Sequence, residues 1–114
     1  MDNHYNHFKK IDAHSHIGKF GSPFNIDFDL QRLTEQMEAY NIEKTILCPA
    51  GCHLNEELKT AYQAAPDKII PLCWVNANEG QEAYDMLEHY LRDENFAGVK
   101  MQPLFDAFTA DSPM

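Results

Sequence analysis

The sequence predicts an α/β fold, namely strands 1–4 and three intervening helices of a TIM (β/α)8 barrel. Short apolar segments alternate with segments of helical periodicity in the order βαβαβαβ, which requires a parallel sheet with crossover helices. The first predicted strand carries several polar side chains on one face. The open mouth of a barrel accommodates such a face, whereas helices cover both faces of a doubly wound sheet. The turn after this strand contains His-Ser-His and lacks the glycine-rich phosphate loop of many open sheets.

The first strand is predicted over residues 8–14. Side chains alternate along a strand, so two chemically different faces are expected. The apolar face carries Ile11 and Ala13. The polar face carries Asp12, His14 and His16. The predicted loop that follows contains Gly18, Gly21 and Pro23.

The first helix is predicted to begin after Asp29, whose side chain is suited to capping free backbone N–H groups. Its inward face repeats at helical spacing and consists of Leu30, Leu33, Met37 and Tyr40. Asn41 is expected to end the helix, since asparagine tolerates the left-handed backbone conformation.

A second strand and helix follow. Residues 45–48 form a short apolar, β-branched segment before Pro49, which predicts a buried strand feeding a loop. Asn55 is predicted to cap the second helix, and Pro66 to end it. The inward face of this helix is predicted to contain Leu58, Ala61, Tyr62 and Ala65.

Residues 69–75 are nearly all apolar and predict a third, fully buried strand. Asn78 and Gln81 form a pattern resembling a capping box at the start of the third helix. The inward face of that helix is predicted to contain Ala83, Leu87, Tyr90 and Leu91. The fourth strand is predicted over residues 96–102, and Pro103 is expected to end it.

The composition limits the class of partner. Eighteen acidic and nine basic residues give a formal net charge of −9, which is unsuited to binding nucleic acid or an anionic membrane. No apolar segment approaches the roughly 20 residues of a membrane helix, and the N-terminus lacks the apolar core of a signal peptide. We therefore expect a soluble cytoplasmic protein.

Three cysteines are present, and this odd number without a secretion signal predicts reduced thiols. Cys48, Cys52 and the adjacent His53 suggest part of a zinc site, but no second ligand pair at zinc-finger spacing follows. His53 has a further interpretation, because the loop after the second strand opens at the barrel mouth, where function is found. A solvated loop histidine is the alternative.

His14 and His16 are two residues apart at the C-terminal end of the first strand, so both rings can reach one metal ion. Zinc and similar divalent ions bind neutral imidazole readily. Asp12 lies one step deeper on the same face, where it could orient an imidazole or pair with Lys100. The alternative is that both histidines are solvated, because His-x-His is a short pattern with many chance matches.

The motif IDAHSHIG, followed by three strand and helix units and then FAGVKMQPLFDAF, resembles the amidohydrolase-related family of metal-dependent hydrolases and decarboxylases. The resemblance extends over nearly the whole chain and includes Pro49, Asn55, the passage AAPDKIIPLCWVNA and the signature GVK-x-x-P. It implies a barrel in which His14 and His16 bind a catalytic divalent metal, with zinc expected. It also implies hydrolysis by metal-activated water, or non-oxidative decarboxylation, of a small carboxylated, lactone or amide-like molecule.

The resemblance also draws attention to the fourth strand. In related binuclear enzymes a lysine on that strand is carbamylated and bridges two metals, whereas the branch that this chain resembles is usually mononuclear. Lys100 is therefore expected to pair with Asp12 or to contact substrate. Gln102 stands where many relatives have histidine, which weakens any polar substrate contact expected there. Trp74, at the end of the third strand, is expected to pack in the core.

The family completes its metal site with a histidine after strand five and an aspartate after strand eight, and neither strand is predicted here. Residues 1–114 are therefore expected to form one partial domain, the N-terminal half of a barrel. Asp111, Ser112 and Pro113 predict the start of a fourth helix. Three interpretations stay open: an incomplete enzyme, a half-barrel that homodimerises through its exposed strand edges, and a non-catalytic remnant or binding module.

Overall fold

The computed structural model describes residues 7–20, 26–109 and 111. The strands are β1 (Lys10–Ser15), β2 (Gly18–Phe20), β3 (Ile26–Phe28), β4 (Ile42–Leu47), β5 (Ile69–Trp74) and β6 (Gly98–Lys100). The α-helices are α1 (Leu30–Ala39), α2 (Asn55–Ala64), α3 (Gln81–Arg92) and α4 (Pro103–Asp106), with 3₁₀ turns at Cys52–Leu54 and Ala77–Glu79. Every helix in this part of the chain is too short or too polar to span a lipid bilayer.

Four of the strands form a parallel sheet in the spatial order β1, β4, β5, β6. Each neighbouring pair is connected by a crossover that contains one of the helices α1, α2 and α3. The predicted partial barrel is therefore confirmed as a half-barrel of four parallel strands with three crossover helices. Because the strands are parallel, their carboxyl ends meet at one edge of the sheet, which in barrels carries the functional groups.

The core lies between the sheet and the crossover helices. Its largest members come from β4, β5 and the inward helix faces: Leu33, Met37, Leu47, Leu58, Ile69, Val75, Tyr90 and Phe96. Two of the predicted inward residues are exposed instead, Tyr40 and Leu91. Tyr40 is the C-cap of α1, where the backbone has left the helical path. Leu91 follows buried Tyr90, so it is turned by about 100° from the inward direction.

The boundaries of the first helix follow the prediction. The Arg32 backbone N–H donates to the Asp29 carboxylate over 2.9 Å, so Asp29 is the N-cap. Asn41 has a φ of 56°, the left-handed conformation that was expected after the helix. Asparagine accepts this backbone geometry at low cost, and the chain turns there directly into β4.

Two predicted caps are wrong. Asn55 is already in the helical conformation and is only 1% exposed, and a 3₁₀ turn leads into α2 without any side-chain cap. Gly80, not Asn78, precedes the first residue of α3, and no side chain caps that helix. Asparagine side chains are suited to capping, but both of these amides bind distant backbone instead.

The predicted loop after the first strand contains a small second sheet. β2 and β3 pair antiparallel, with Gly18 opposite Phe28 and Phe20 opposite Ile26. The prediction missed them because three-residue strands are too short to produce a period-two pattern. Gly18 has a φ of 130°, which favours glycine, and it begins β2 directly after buried Ile17. Gly21 and Pro23 lie outside the described residues.

The two outer strands of the parallel sheet are β1 and β6, as expected for a half-barrel. Their outward side chains Ile11 and Val99 are exposed, Ile11 by 61%. β6 is shorter than predicted. It ends before Pro103, as expected, and Pro103 itself begins α4. The helix predicted to begin at Asp111 is not tested, since Ser112 and Pro113 lie outside the described residues.

Candidate metal and substrate site

The paired histidines lie at the carboxyl end of β1. The Nε2 atoms of His14 and His16 are 2.9 Å apart, and the two rings meet edge to face. The Nδ1 atom of His16 lies 2.7 Å from the carbonyl oxygen of Cys48 at the end of β4. A carbonyl oxygen only accepts hydrogen bonds, so Nδ1 of His16 carries the proton and Nε2 presents its lone pair.

This arrangement fits a divalent cation as part of its ligand set. Two nitrogens about 2.1 Å from one tetrahedral zinc ion lie roughly 3.4 Å apart. The two Nε2 atoms here are at hydrogen-bond distance, so a bound ion would replace the proton between the rings and move them slightly apart. A backbone carbonyl that holds the second ring nitrogen is a common support for a metal-binding histidine. Within residues 7–20, 26–109 and 111, however, no group of three or more suitable side chains converges. The described residues therefore bring together two side chains suited to binding a cation, and no third.

Asp12 does not take either role predicted for it. Its carboxylate accepts the backbone N–H of His14 over 3.0 Å and makes no ion pair with Lys100. The His16 imidazole is held in place instead by the backbone carbonyl of Cys48. Asp12 thus holds the backbone of β1 at His14, and its carboxylate has no hydrogen bond to either imidazole ring among the described residues.

A pocket of about 530 Å³ opens beside the two histidines. It spans the carboxyl ends of the four parallel strands and the start of α4, because the parallel sheet brings those ends together. Its lining consists of His14, His16, Ala50, Trp74, Lys100, Gln102, Leu104 and Phe105. The pocket therefore contains four of the predicted candidates, His14, His16, Lys100 and Gln102, and has an apolar wall opposite the histidines.

Lys100 is half-buried at the end of β6 and makes no ion pair within the part of the chain that the structure describes. Burial raises the pKa of the Cys48 thiol, and the nearby positive charge of Lys100 opposes that rise. Cys48 is consequently a protonated, structural thiol whose carbonyl serves His16. Lys100 provides positive charge to the pocket, and exposed Gln102 provides an amide at its rim.

His53 does not line the pocket. Its imidazole folds back over Gly51, where an added Cβ would lie 2.7 Å from the ring, and the residue is exposed to solvent. The zinc site suggested by Cys48, Cys52 and His53 is not formed, since Cys48 is buried and the described residues contain no such cluster. The interpretation of His53 as a solvated loop histidine agrees with this placement.

Trp74 is buried as expected, but its indole also forms part of the pocket wall. The indole N–H donates to the Asp106 carboxylate over 2.8 Å, and the ring of Phe105 packs edge to face against it at 5.9 Å. Sequence reasoning missed Leu104, Phe105 and Asp106 entirely. The available signal was the position of Trp74 at the carboxyl end of a barrel strand, where side chains face the site.

Asn55 holds the main chain of Trp74. The amide of Asn55 donates to the Trp74 carbonyl and accepts the Trp74 N–H, each over 2.8 Å. The paired bonds fix the end of β5 to the first turn of α2. This contact is the role of the buried asparagine that the sequence suggested to be a helix cap.

No protein-family profile matches the sequence, and no curated protein matches it. Solved structures do match. The 5-carboxyvanillate decarboxylase of Novosphingobium aromaticivorans, crystallised with manganese and 4-hydroxy-3-methoxy-5-nitrobenzoic acid, superposes with a TM-score of 0.72 at 16% identity. A 2,6-dihydroxybenzoate decarboxylase with bound 2,6-dihydroxybenzoate superposes with a TM-score of 0.64 at 17% identity. The 2,6-dihydroxybenzoate decarboxylase from Rhizobium gives a TM-score of 0.59 at 18% identity.

These matches cover 85%, 79% and 80% of this chain but only 42%, 38% and 36% of the matched chains, in the same order. The chain thus spans less than half the length of the decarboxylases it resembles. The matched proteins are decarboxylases, and their likeness to this chain confirms the predicted partial-barrel fold.

Proposed function

We propose that this chain forms the metal-binding half of a metal-dependent enzyme that decarboxylates a small aromatic carboxylate. The observation that carries the proposal is the convergence of the His14 and His16 Nε2 atoms on a pocket that also contains Lys100, which has no ion-pair partner among the described residues. Hydrolysis of a lactone or amide-like molecule is the alternative reaction of the same family. Decarboxylation is favoured because the matched structures are decarboxylases and the pocket has an aromatic wall.

His14 and His16 are the residues that would hold the cation. Such a cation supplies positive charge that polarises substrate oxygens. The zinc expected from the sequence and the manganese of the 5-carboxyvanillate decarboxylase are both divalent ions that accept imidazole nitrogen. The proposal is therefore a divalent cation, with manganese and zinc as the two ions to compare.

The remaining pocket residues divide by chemistry. Lys100 is placed to attract a substrate carboxylate, since it lines the pocket without a carboxylate partner of its own among the described residues. Trp74 and Phe105 offer aromatic surface for a planar ring, and their edge-to-face contact leaves Phe105 mostly exposed toward the pocket. Gln102 adds a neutral amide that can donate to or accept from ring substituents.

Two imidazoles are too few for a catalytic site, which ordinarily has three protein ligands. The missing ligands must reach the pocket from beyond the described residues. We propose that they come from the second half of a barrel, which pairs with the free edges of β1 and β6. A second copy of this chain is the alternative source, because a two-fold axis along the barrel would set β6 of each copy against β1 of the other.

Metal uptake by the chain tests the proposal. Equilibrium dialysis against Mn²⁺ and Zn²⁺ with metal analysis should show binding that His14→Ala or His16→Ala abolishes. Loss of a supporting contact alone costs about 10–100-fold in metal affinity, so loss of a ligand should cost at least as much. His53→Ala is the matched control, since that exposed imidazole lies outside the pocket. Uptake that is unchanged in both variants would rule out the site.

Sedimentation with and without metal distinguishes the two sources of the missing ligands. A two-fold dimer that binds metal in proportion to its subunits supports assembly from two copies. A monomer that binds metal weakly supports completion by a different barrel half. A monomer that binds no metal supports the third interpretation, a non-catalytic module, which the exposed side chains of Ile11 and Val99 on the outer strands favour.

A further inference from the structure

The short helix α4 forms one wall of the pocket although burial does little to hold it. Leu104 is 93% exposed and Phe105 is 72% exposed, yet both line the pocket. A helix of four residues is also not stable by itself. The position of this wall must therefore depend on specific contacts with the rest of the fold.

Those contacts converge on Asp106. Its carboxylate accepts the indole N–H of Trp74 over 2.8 Å, and its carbonyl accepts the side-chain amide of Asn78. The same amide lies 3.4 Å from the carbonyl oxygen of Ala107, which ends α4 in the left-handed conformation. One acidic residue thus connects α4 to the end of β5 and to the 3₁₀ turn at Ala77–Glu79.

Asp106 does not line the pocket, so any effect on a ligand passes through Trp74 and Phe105. The charged hydrogen bond fixes the rotation of the indole ring, because the indole has a single N–H donor. Phe105 is the residue directly before Asp106, and its ring packs against the same indole. The angle between the two aromatic rings is therefore determined by where the carboxylate holds the indole.

We propose that Asp106 is a positioning residue that sets the aromatic wall of the pocket and thereby its selectivity for planar ring ligands. The selectivity part rests on the proposed function, whereas the positioning part does not. Without the carboxylate, the indole loses its partner and the ring of Phe105 loses its fixed neighbour. The histidine pair and Lys100 should stay in place, because none of them has a hydrogen bond or ion pair to Asp106 among the described residues.

The chain contains one tryptophan, so its intrinsic fluorescence reports on Trp74 directly. We expect Asp106→Ala to shift the emission to the red and to increase quenching by acrylamide, as the indole turns toward water. Asp106→Asn should restore most of the parent behaviour, since the amide oxygen also accepts the indole N–H. Asp85→Ala is the control, because Asp85 is exposed on α3 and its carboxylate accepts a hydrogen bond from Gln81 alone among the described residues.

Titration with 4-hydroxy-3-methoxy-5-nitrobenzoate, whose nitro group quenches tryptophan, measures ligand binding in the same samples. We expect Asp106→Ala to weaken binding about tenfold, because ligand binding must then order an aromatic wall that is no longer held in place. The variant should also distinguish less well between benzoate and larger aromatic carboxylates used as competitors. Circular dichroism verifies folding. If Asp106→Ala does not fold, Asn78→Ala removes the second connection at an exposed position and should shift the emission in the same direction.

The outcomes separate the two proposals. An emission spectrum and acrylamide quenching that are unchanged in Asp106→Ala would overturn the positioning role, whatever the ligand does. Failure of the parent protein to bind the nitrobenzoate, with the emission shift present, would overturn the proposed substrate class and leave the positioning of Trp74 supported. A red shift in the variant with undiminished binding would overturn the role in selectivity.

Discussion

Replacement of Asn55 by alanine tests the strongest structural contact near the site. The Asn55 side chain is 1% exposed and makes two hydrogen bonds of 2.8 Å to the main chain of Trp74, and its amide nitrogen also lies 3.5 Å from the Met86 sulfur. The substitution removes one donor and one acceptor together. It leaves the N–H and C=O groups of Trp74 without these partners at the end of β5, in a region that water does not reach.

The expected cost follows from those two groups. A buried backbone group without a partner costs about 1–3 kcal/mol, so two give roughly 2–6 kcal/mol, and partial collapse around the smaller side chain favours the lower half of that range. We expect a loss of about 3 kcal/mol in the free energy of unfolding. A chain of 114 residues has a total of roughly 6–17 kcal/mol at about 0.05–0.15 kcal/mol per residue, so the variant should fold but unfold at much lower denaturant.

Urea unfolding followed by circular dichroism measures this difference by linear extrapolation. Gln63→Ala is the control, because Gln63 is exposed on the same helix and alanine favours that helix slightly. Asn55→Asp should be at least as destabilised as Asn55→Ala, since it replaces the donor to the Trp74 carbonyl with a second acceptor. A change below about 0.5 kcal/mol in Asn55→Ala, at an unchanged slope, would refute the reasoning.

Two further predictions concern the helices. Asp29→Ala should lower the free energy of unfolding by about 1 kcal/mol, measured by urea unfolding, because it removes the N-cap of α1, and Asp29→Asn should restore most of it. Burial and the hydrogen bond to Glu56 raise the pKa of Tyr90 above its ordinary value of 10.0. A raised pKa in the folded state stabilises the protein below pH 10.0, and this contribution is lost as pH rises toward the folded value. The thermal unfolding temperature of Tyr90→Phe should therefore decline less steeply above pH 10 than that of the parent. An equal decline in both proteins would contradict the raised pKa of Tyr90.

The histidine pair could be predicted because strand geometry alone brings it together. Side chains two residues apart share a face, so His14 and His16 meet whatever the rest of the chain does. The support for the pair could not be predicted in the same way. Cys48 holds His16 through its backbone carbonyl. Every residue has such a carbonyl, so the amino-acid sequence does not indicate which one will bind the ring. Only the alignment of β1 with β4 determines which carbonyl reaches the ring.

The asparagines show the converse case. Their residue type predicts a helix cap, but a partner distant in the sequence determines the contact that they make. Asn55 and Asn78 have the side chain of a good cap and stand near helix starts. In the folded chain, each amide bonds to backbone 19 or 28 residues away. A tertiary partner that satisfies the whole amide outcompetes a single capping bond. The contact between Trp74 and Asp106, separated by 32 residues, was invisible for the same reason.

The positions of the functional residues follow from the order of the strands. His14 and His16 lie at the end of β1 and Lys100 lies at the end of β6, so the groups proposed to bind the metal and the substrate carboxylate belong to the two outer strands of the sheet. Both outer strands have a free edge within the described residues, and their apolar outward side chains are exposed. Strands added at either edge would continue the sheet beside one of these groups. On the proposed function, the strands that close the barrel would also bring the missing metal ligands, which is why metal binding and assembly should be measured on the same sample.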